Sequence, residues 1–327
     1  MTTTTAEADP VTHPASPNAT MSAVSHRAFD PLTADPRKRT AYRLDPYARE
    51  GLDLFRSAGD RAWLYTTTFV VLKPDAVAGR RGGLVLDILE EEGWKPFAAR
   101  PFTFDPVLTR EIWRYQFNAA SRQRIAVVDH LLGSSPSLLV LLRDTRRVDG
   151  LPASVRLTAA KGAADPQAAH ARDLRTRFGR VNGLFNFVHT ADEPADLVRE
   201  LRLFCYRTGT AWLRTALTTA PPSAGEECPA RSLLAGLEAD VTAHDLDSAQ
   251  SLTRLAARSD VWGGLARAHG TRDAVHRWLS ALGEAALPSG SARWDVLSVL
   301  TEWIDCNEPG VAPLLATVSA TDWRKEA

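Results

Sequence analysis

The 327-residue chain has little of what marks several protein classes. Its three cysteines, Cys205, Cys228 and Cys306, lie far apart, which excludes a disulfide scaffold and a cysteine-rich zinc site. Lys and Arg (39) balance Asp and Glu (39), so neutralising nucleic acid or an anionic membrane is not its main role. It has no apolar run of the roughly 18 residues that a spanning helix needs, and no secretory signal. We expect a cytoplasmic protein without nucleic-acid or membrane partners.

Composition changes along the chain and predicts its organisation. Residues 1–37 are rich in Thr, Ala, Pro and Ser and predict a disordered tail. Residues 38–63 form a lead-in segment, and residues 64–217 a mixed α/β domain. A Pro-, Ser- and Gly-containing linker at residues 218–230 precedes a helical domain at residues 231–327.

Short apolar runs within residues 64–217 predict four strands separated by helices. The pattern closes with a helix at about residues 192–205. Such an order favours an α+β fold with a small sheet covered by helices. The predicted strands are residues 67–72, 98–104, 138–142 and 184–188.

Lys73 is the first residue that could carry chemistry. It directly follows the first strand, and strand ends are where ligands tend to bind in α/β proteins. A lysine there can place a point charge on a phosphate, although it could also be a solvated residue that ends the strand. The phosphate loop GxxxxGK[ST] is missing, which excludes a Walker-type nucleotide hydrolase.

His189 and Glu200 form the second candidate. His189 ends a strand-like run, and Glu200 lies at the inner edge of the apolar stripe of the following helix, between Leu197 and Phe204. A buried carboxylate needs a partner, and an imidazole N–H is a suitable one. This pairing would leave the other ring nitrogen free as a nucleophile. The alternative is an ordinary half-buried histidine.

Separate motifs along the chain resemble the nucleoside diphosphate kinase family. They occur in the family's order, over about residues 66–206, and the helix through Glu200 fits as well. The motifs are TFVVLKPD at residues 68–75, Arg175 followed by Phe178-Gly179, and NFVH at residues 186–189.

The resemblance implies a ferredoxin-like α/β sandwich and transfer of a γ-phosphoryl group from ATP, with Mg²⁺, to a nucleoside diphosphate or a specialised acceptor. It implies that His189 is the nucleophile and Glu200 orients it. It further implies that Lys73 contacts the transferring phosphoryl group. For binding of the nucleotide and its phosphates it implies Tyr115, Arg156, Arg175 and Asn186. It implies no protein metal site, and it leaves open a homo-oligomer.

The chain departs from the family pattern near the ligand. Thr190-Ala191 replaces the usual Gly-Ser after the histidine, and Ala164 replaces a threonine. Ala76 replaces the glycine of the KPDG motif, and Ile125 stands roughly where an aromatic stacks on the base. A catalytically weak nucleotide-binding or regulatory module is therefore the alternative, but the retained reactive residues favour an enzyme.

Overall fold

A four-stranded antiparallel sheet forms the centre of the structure, a computed structural model that describes residues 28–55, 58–218 and 228–326. Its strand order is β2-β3-β1-β4. All six residues of the central strand β1 are buried, as expected for a β-branched run covered on both faces. In chain order the strands are β1 (Thr67–Leu72), β2 (Trp94–Phe102), β3 (Ser137–Asp144) and β4 (Val188–His189).

Helices flank the sheet and extend it at both ends of the chain. Three precede β1: α1 (Pro36–Leu44), α2 (Pro46–Leu52) and α3 (Ala58–Thr66). Six lie between β1 and β4: α4 (Pro74–Ala78), α5 (Gly82–Glu91), α6 (Pro106–Ile112), α7 (Arg122–Leu132), α8 (Ala153–Lys161) and α9 (Leu174–Arg177). After β4 follow α10 (Pro194–Phe204), α11 (Ala211–Thr218), α12 (Ala230–Asp240), α13 (Ser248–Ala256), α14 (Val261–His269), α15 (Val275–Glu284), α16 (Ser291–Trp303) and α17 (Ala320–Glu326). These counts cover the described residues alone.

This order confirms the predicted fold class, a ferredoxin-like α/β sandwich followed by a helical region. The first strand has the predicted bounds, whereas β4 is only two residues long. Residues 184–187 do not extend it because the Asn182 side chain captures two of their backbone groups. Its Oδ1 accepts from the N–H groups of Leu184 (3.0 Å) and Phe185 (2.8 Å), which competes with strand pairing.

The N-terminal part of the described chain packs on the sheet region. Most of the tail predicted at residues 1–37 lies outside the described residues, but residues 28–37 are folded. Phe29 and Leu32 are buried in the same apolar cluster as Leu197 and Leu201 of α10. The lead-in segment therefore contributes to the core on which α10 rests.

The C-terminal helices share a hydrophobic core with the sheet region. Phe185 contacts Trp294 of α16 at a ring-centroid distance of 6.2 Å, and the His244 N–H donates to the carbonyl of Ala78 at 2.9 Å. Residues 219–227 of the predicted linker lie outside the described residues, so the domain boundary stays a prediction. Among the described residues, no helix has the length and apolar character needed to cross a membrane.

Candidate functional site

His189 and Glu200 are paired, as the sequence predicts. β4 holds His189 opposite Val71 of β1, and α10 carries Glu200 back to it. The distance from His189 Nε2 to Glu200 Oε2 is 2.5 Å. Trp113 packs edge-on against the imidazole at a centroid distance of 5.0 Å. Because Nε2 is engaged by the carboxylate, Nδ1 is the nitrogen available for chemistry.

Lys73 lies at the end of β1, two residues beyond the partner of His189. Its side chain is 7% exposed, and Nζ donates to the carbonyl of Leu184 at 2.8 Å. Asp75 is fully buried, 3.5 Å from the Lys73 ammonium, and accepts the Phe187 N–H at 2.8 Å. Phe187 has φ = 69°, a costly conformation for a side chain of this size. Asp75 therefore fixes the strained turn that precedes β4.

Arg175 lies on α9, and Asn186 lies on the loop between α9 and β4. Arg175 Nη1 donates to the carbonyl of Gly162 at 2.8 Å, and Asn186 Nδ2 donates to that of Gly183 at 2.7 Å. Arg175 Nε is buried without a hydrogen-bond partner among the described residues. A buried, unpaired N–H donor on a cation is costly in free energy. A bound anion would supply the missing hydrogen-bond acceptor.

Burial and neighbouring charges shift the pKa values of Lys73, Arg175 and Glu200. Burial lowers the pKa of Lys73 to about 8, Asp75 opposes the shift, and Arg175 and Arg124 add to it. Burial also lowers the pKa of Arg175 to about 10. Burial raises the pKa of Glu200, and the nearby His189 opposes that shift. Cations that repel one another in a partly buried site are typical of a place where an anion binds.

Two further predicted residues are engaged elsewhere in the protein. Tyr115 donates to Asp45 Oδ2 at 3.1 Å, and burial, with Asp45, raises its pKa to about 12. Arg156 makes a bidentate pair with Asp144, both distances being 2.6 Å, and lies 3.8 Å over the Trp94 ring. Asp144 adjoins the start of β1, whereas Lys73 follows its end. The structure therefore does not bring Arg156 together with the other candidates.

A lysine that the sequence analysis did not select lies beside the histidine loop. Lys161 is buried on α8, and its Nζ lies 2.6 Å from Thr190 Oγ1 and 3.4 Å from Asp192 Oδ1. Burial raises the pKa of Asp192, but Lys161 and Lys38 outweigh it and lower the value to about 2. Thr158, three residues before Lys161, donates to the carbonyl of Ala191 at 3.1 Å. Thr158 and Lys161 are three residues apart and therefore lie on one face of α8. This spacing is the sequence signal that could have identified Lys161.

The N-terminal segment fixes the helix that carries Glu200. Glu193 and Asp196 form a capping box at the start of α10, and both carboxylates bind Lys38 Nζ, at 2.6 and 2.7 Å. Arg199 next to Glu200 donates to Asp45 Oδ2 at 2.8 Å. Since these partners are buried, the orientation of Glu200 is set in part by residues about 150 positions earlier in the chain.

The sheet region is similar to known proteins. Residues 66–208 match the family model for nucleoside diphosphate kinase. The nucleoside diphosphate kinases of Methanobrevibacter smithii and Methanothermobacter thermautotrophicus are each 28% identical over 137 residues, 42% of this chain and 85% of the relative. The match confirms the resemblance predicted for about residues 66–206, and it ends before the helical region.

Solved structures of the same name are also similar. The nucleoside diphosphate kinase of Aquifex aeolicus is 23% identical, covers 42% of this chain and 93% of its own, and has a TM-score of 0.35. The family protein from Babesia bovis is 21% identical, covers 49% and 97%, and has a TM-score of 0.37.

Proposed function

We propose that the chain is a phosphotransferase that carries a phosphoryl group on His189, from a nucleoside triphosphate to a nucleoside diphosphate or a specialised phosphate acceptor. The observation that carries the proposal is the pairing of His189 Nε2 with Glu200 at 2.5 Å. That contact leaves Nδ1 as the nucleophile. The family match over residues 66–208 supports the same reaction class.

The proposed chemistry consists of two in-line displacements. The lone pair on His189 Nδ1 attacks the γ-phosphorus of the donor, and the bond from phosphorus to the β,γ-bridging oxygen breaks. The nucleoside diphosphate leaves with that electron pair. The ring becomes cationic, and the Glu200 carboxylate stabilises its Nε2–H. The acceptor oxygen then attacks the same phosphorus and releases the histidine.

The cations around His189 would supply the electrostatic part of catalysis. Phosphoryl transfer needs little covalent help and depends on positioned positive charge. Lys73 lies at the end of β1 beside β4, and Arg175 is close enough to lower the pKa of Lys73. The unpaired Nε of Arg175 is a donor for a phosphate oxygen. Asn186 lies on the same loop as Leu184, whose carbonyl binds Lys73, and Lys161 contacts Thr190 next to His189.

Mg²⁺ would arrive with the nucleotide. Among the described residues no group of three or more His, Cys, Asp and Glu side chains could hold a metal ion. Mg²⁺ is commonly bound through substrate phosphates and keeps several waters, so a dedicated protein cage is not required. Bound in this way, Mg²⁺ would supply positive charge that offsets part of the charge on the nucleotide phosphates.

The acceptor end of the site favours weak selection among bases. Ala191, Ala164 and Ile125 replace two hydroxyls and an aromatic face of the family pattern. Each missing hydrogen bond should cost about 0.5–1.5 kcal/mol of affinity, and a missing stack roughly 1–3 kcal/mol. The same losses favour the second candidate function, a kinase-like module that binds nucleotide with little turnover.

The test is to incubate the full chain with γ-labelled ATP and Mg²⁺ and then offer ADP, GDP, CDP and UDP. We expect acid-labile, alkali-stable label that disappears in His189→Ala and persists in His130→Ala, an exposed histidine of α7. Protein that binds ATP but takes no label would support the binding module, and labelled protein that passes its label to none of the four diphosphates would indicate a specialised acceptor. Turnover with kcat/KM near 10⁶–10⁸ M⁻¹s⁻¹, about the upper enzymatic range, for all four would contradict the weak base site.

A further inference from the structure

Residues 305–308 form a short segment, here called the strap, that follows α16 and joins the two walls of the site. One wall is the turn between α6 and α7, which carries Trp113 against His189. The other is the loop between α9 and β4, whose Leu184 carbonyl binds Lys73. The strap touches both walls. His189 itself belongs to the sheet, where it pairs with Val71 of β1.

Backbone and side-chain hydrogen bonds hold the strap to the first wall. The Ser121 N–H donates to the carbonyl of Cys306 (3.2 Å), and the Glu308 N–H donates to that of Ala119 (2.9 Å). An isolated β-bridge joins Ala120 to Asn307. Gln123 Oε1 accepts from the Asp305 N–H at 2.9 Å, and Arg124 Nη1 donates to Asn307 Oδ1 at 3.2 Å.

The strap meets the second wall at a glycine. A Cβ on Gly183 would lie 3.4 Å from Cys306 Sγ, so the thiol packs directly on this loop. The carbonyl of Gly183 also accepts from Asn186, one of the proposed binding residues. Just before the strap, Asn182 Nδ2 donates to Thr301 Oγ1 of α16 at 3.2 Å. The strap therefore spans the distance between the walls.

Beyond the strap, the chain continues along the same side of the site. Asn118 Nδ2 donates to the carbonyl of Ala312 (2.8 Å), and Asn118 Oδ1 accepts from the Leu314 N–H (3.0 Å). Thr317 Oγ1 donates to Asp192 Oδ2 at 2.6 Å, three residues from His189. The segment is therefore fastened at several points around the opening.

We propose that the strap is a specificity element, which admits the phosphate end of a ligand and excludes the group behind it unless the strap moves. The inference rests on the proposed function only in taking the end with Lys73 and Arg175 as the phosphate-binding end. A ligand held there extends outward between the two walls, where residues 305–308 lie. A nucleobase needs that space, whereas a bare polyphosphate does not.

Binding of a nucleotide would then require an open state, in which residues 305–308 have moved away from one of the walls. When only a fraction of molecules is competent to bind, the apparent dissociation constant rises in inverse proportion to that fraction. Loosening the strap should therefore tighten ATP binding, and locking it should weaken ATP binding. Tripolyphosphate should respond to neither change, because it fits beneath the closed strap.

The loosened protein is Asn118→Ala/Gln123→Ala, which removes three hydrogen bonds from residues 305–314 by changing an exposed and a half-buried side chain. Gln116→Ala is the matched control, since among the described contacts its side chain makes no hydrogen bond with that segment. By calorimetry with Mg²⁺ we expect ATP binding to tighten at least fivefold, with tripolyphosphate unchanged within about twofold. The control should change neither.

The locked protein is Gly183→Cys, oxidised to pair with Cys306. The 3.4 Å between a Cβ at position 183 and Cys306 Sγ suits a disulfide. The backbone of Gly183 lies outside the left-handed region, so a cysteine fits there without strain. Oxidation should weaken ATP binding at least tenfold and leave tripolyphosphate binding unchanged. Reduction should restore ATP binding, and Gly183→Cys/Cys306→Ser should not respond to oxidant.

The outcomes separate this inference from the proposed function. Equal shifts for ATP and tripolyphosphate, or no shift of ATP in either protein, would overturn the role of the strap. Absence of label on His189 from any donor would overturn the phosphotransfer instead, and a selective shift in ATP binding would still support the strap. If neither ligand binds, both proposals fail.

Discussion

The proposed site has two ends, an inner end at Lys73 and Arg175 and an outer end at residues 305–308. The polar groups of these two ends are used differently. At the inner end, Arg175 Nε has no partner among the described residues, and Lys73 keeps a lowered pKa near other cations. At the outer end, residues 305–308 join the walls through protein–protein hydrogen bonds. The difference supports the proposed phosphate site at the inner end, whereas residues 305–308 of the chain itself fill the outer end.

Removing the Lys73 charge from the inner end should have the largest effect on the rate of phosphoryl transfer. Lys73→Met should slow phosphoryl transfer to His189 by about 10²–10³-fold, the range for loss of one charge-stabilising donor. Tyr115→Phe should change the rate by less than about threefold, because the Tyr115 hydroxyl is already bound to Asp45. Single-turnover labelling of both variants measures the difference. Equal losses would contradict the special role of the Lys73 charge.

Glu200→Gln should have the next largest effect. The amide keeps the shape of the side chain but loses the charge that stabilises the imidazolium, so labelling should slow by roughly 10²-fold. Rapid-quench labelling with equal circular dichroism spectra separates this effect from misfolding. A rate equal to that of the unchanged protein would reduce Glu200 to a packing residue.

The pH dependence should report the inner end and give an effect of about tenfold per pH unit. Burial, with Arg175 and Arg124, lowers the pKa of Lys73 to about 8, so its ammonium is present below pH 8 and lost above. We expect kcat/KM for ATP to fall as pH rises through about 8, since this ratio reports the free enzyme. Lys73→Arg should move the fall to higher pH. A flat profile up to pH 10 would contradict the charge assigned to Lys73.

Arg156→Ala should have the smallest effect on the reaction and a large one on stability. Loss of Arg156 leaves the buried Asp144 carboxylate unpaired, which should cost roughly 3–5 kcal/mol in the free energy of unfolding. Labelling per folded molecule should stay within about threefold. Urea unfolding and active-site titration measure the two quantities. A labelling loss above tenfold would return Arg156 to the phosphate-binding residues.

Motif order and local periodicity were enough to predict the fold class and the contact between His189 and Glu200. They could not assign the faces of α8, where Arg156 lies about 200° around the helix from Thr158 and binds Asp144. Long-range contacts were also invisible, such as Lys38 with Asp196 and residues 305–308 with the walls of the site. These pairings depend on tertiary geometry, which no local pattern encodes.

The most direct test of the account is the position of the phosphoryl group on the His189 ring. Since Glu200 engages Nε2, the phosphoryl group must form its bond to Nδ1. Phosphorus NMR of the alkali-denatured phosphoprotein distinguishes the two phosphohistidine isomers. We expect a single resonance of the Nδ1 isomer, lost in His189→Ala. An Nε2 isomer, or label on any other residue, would contradict it.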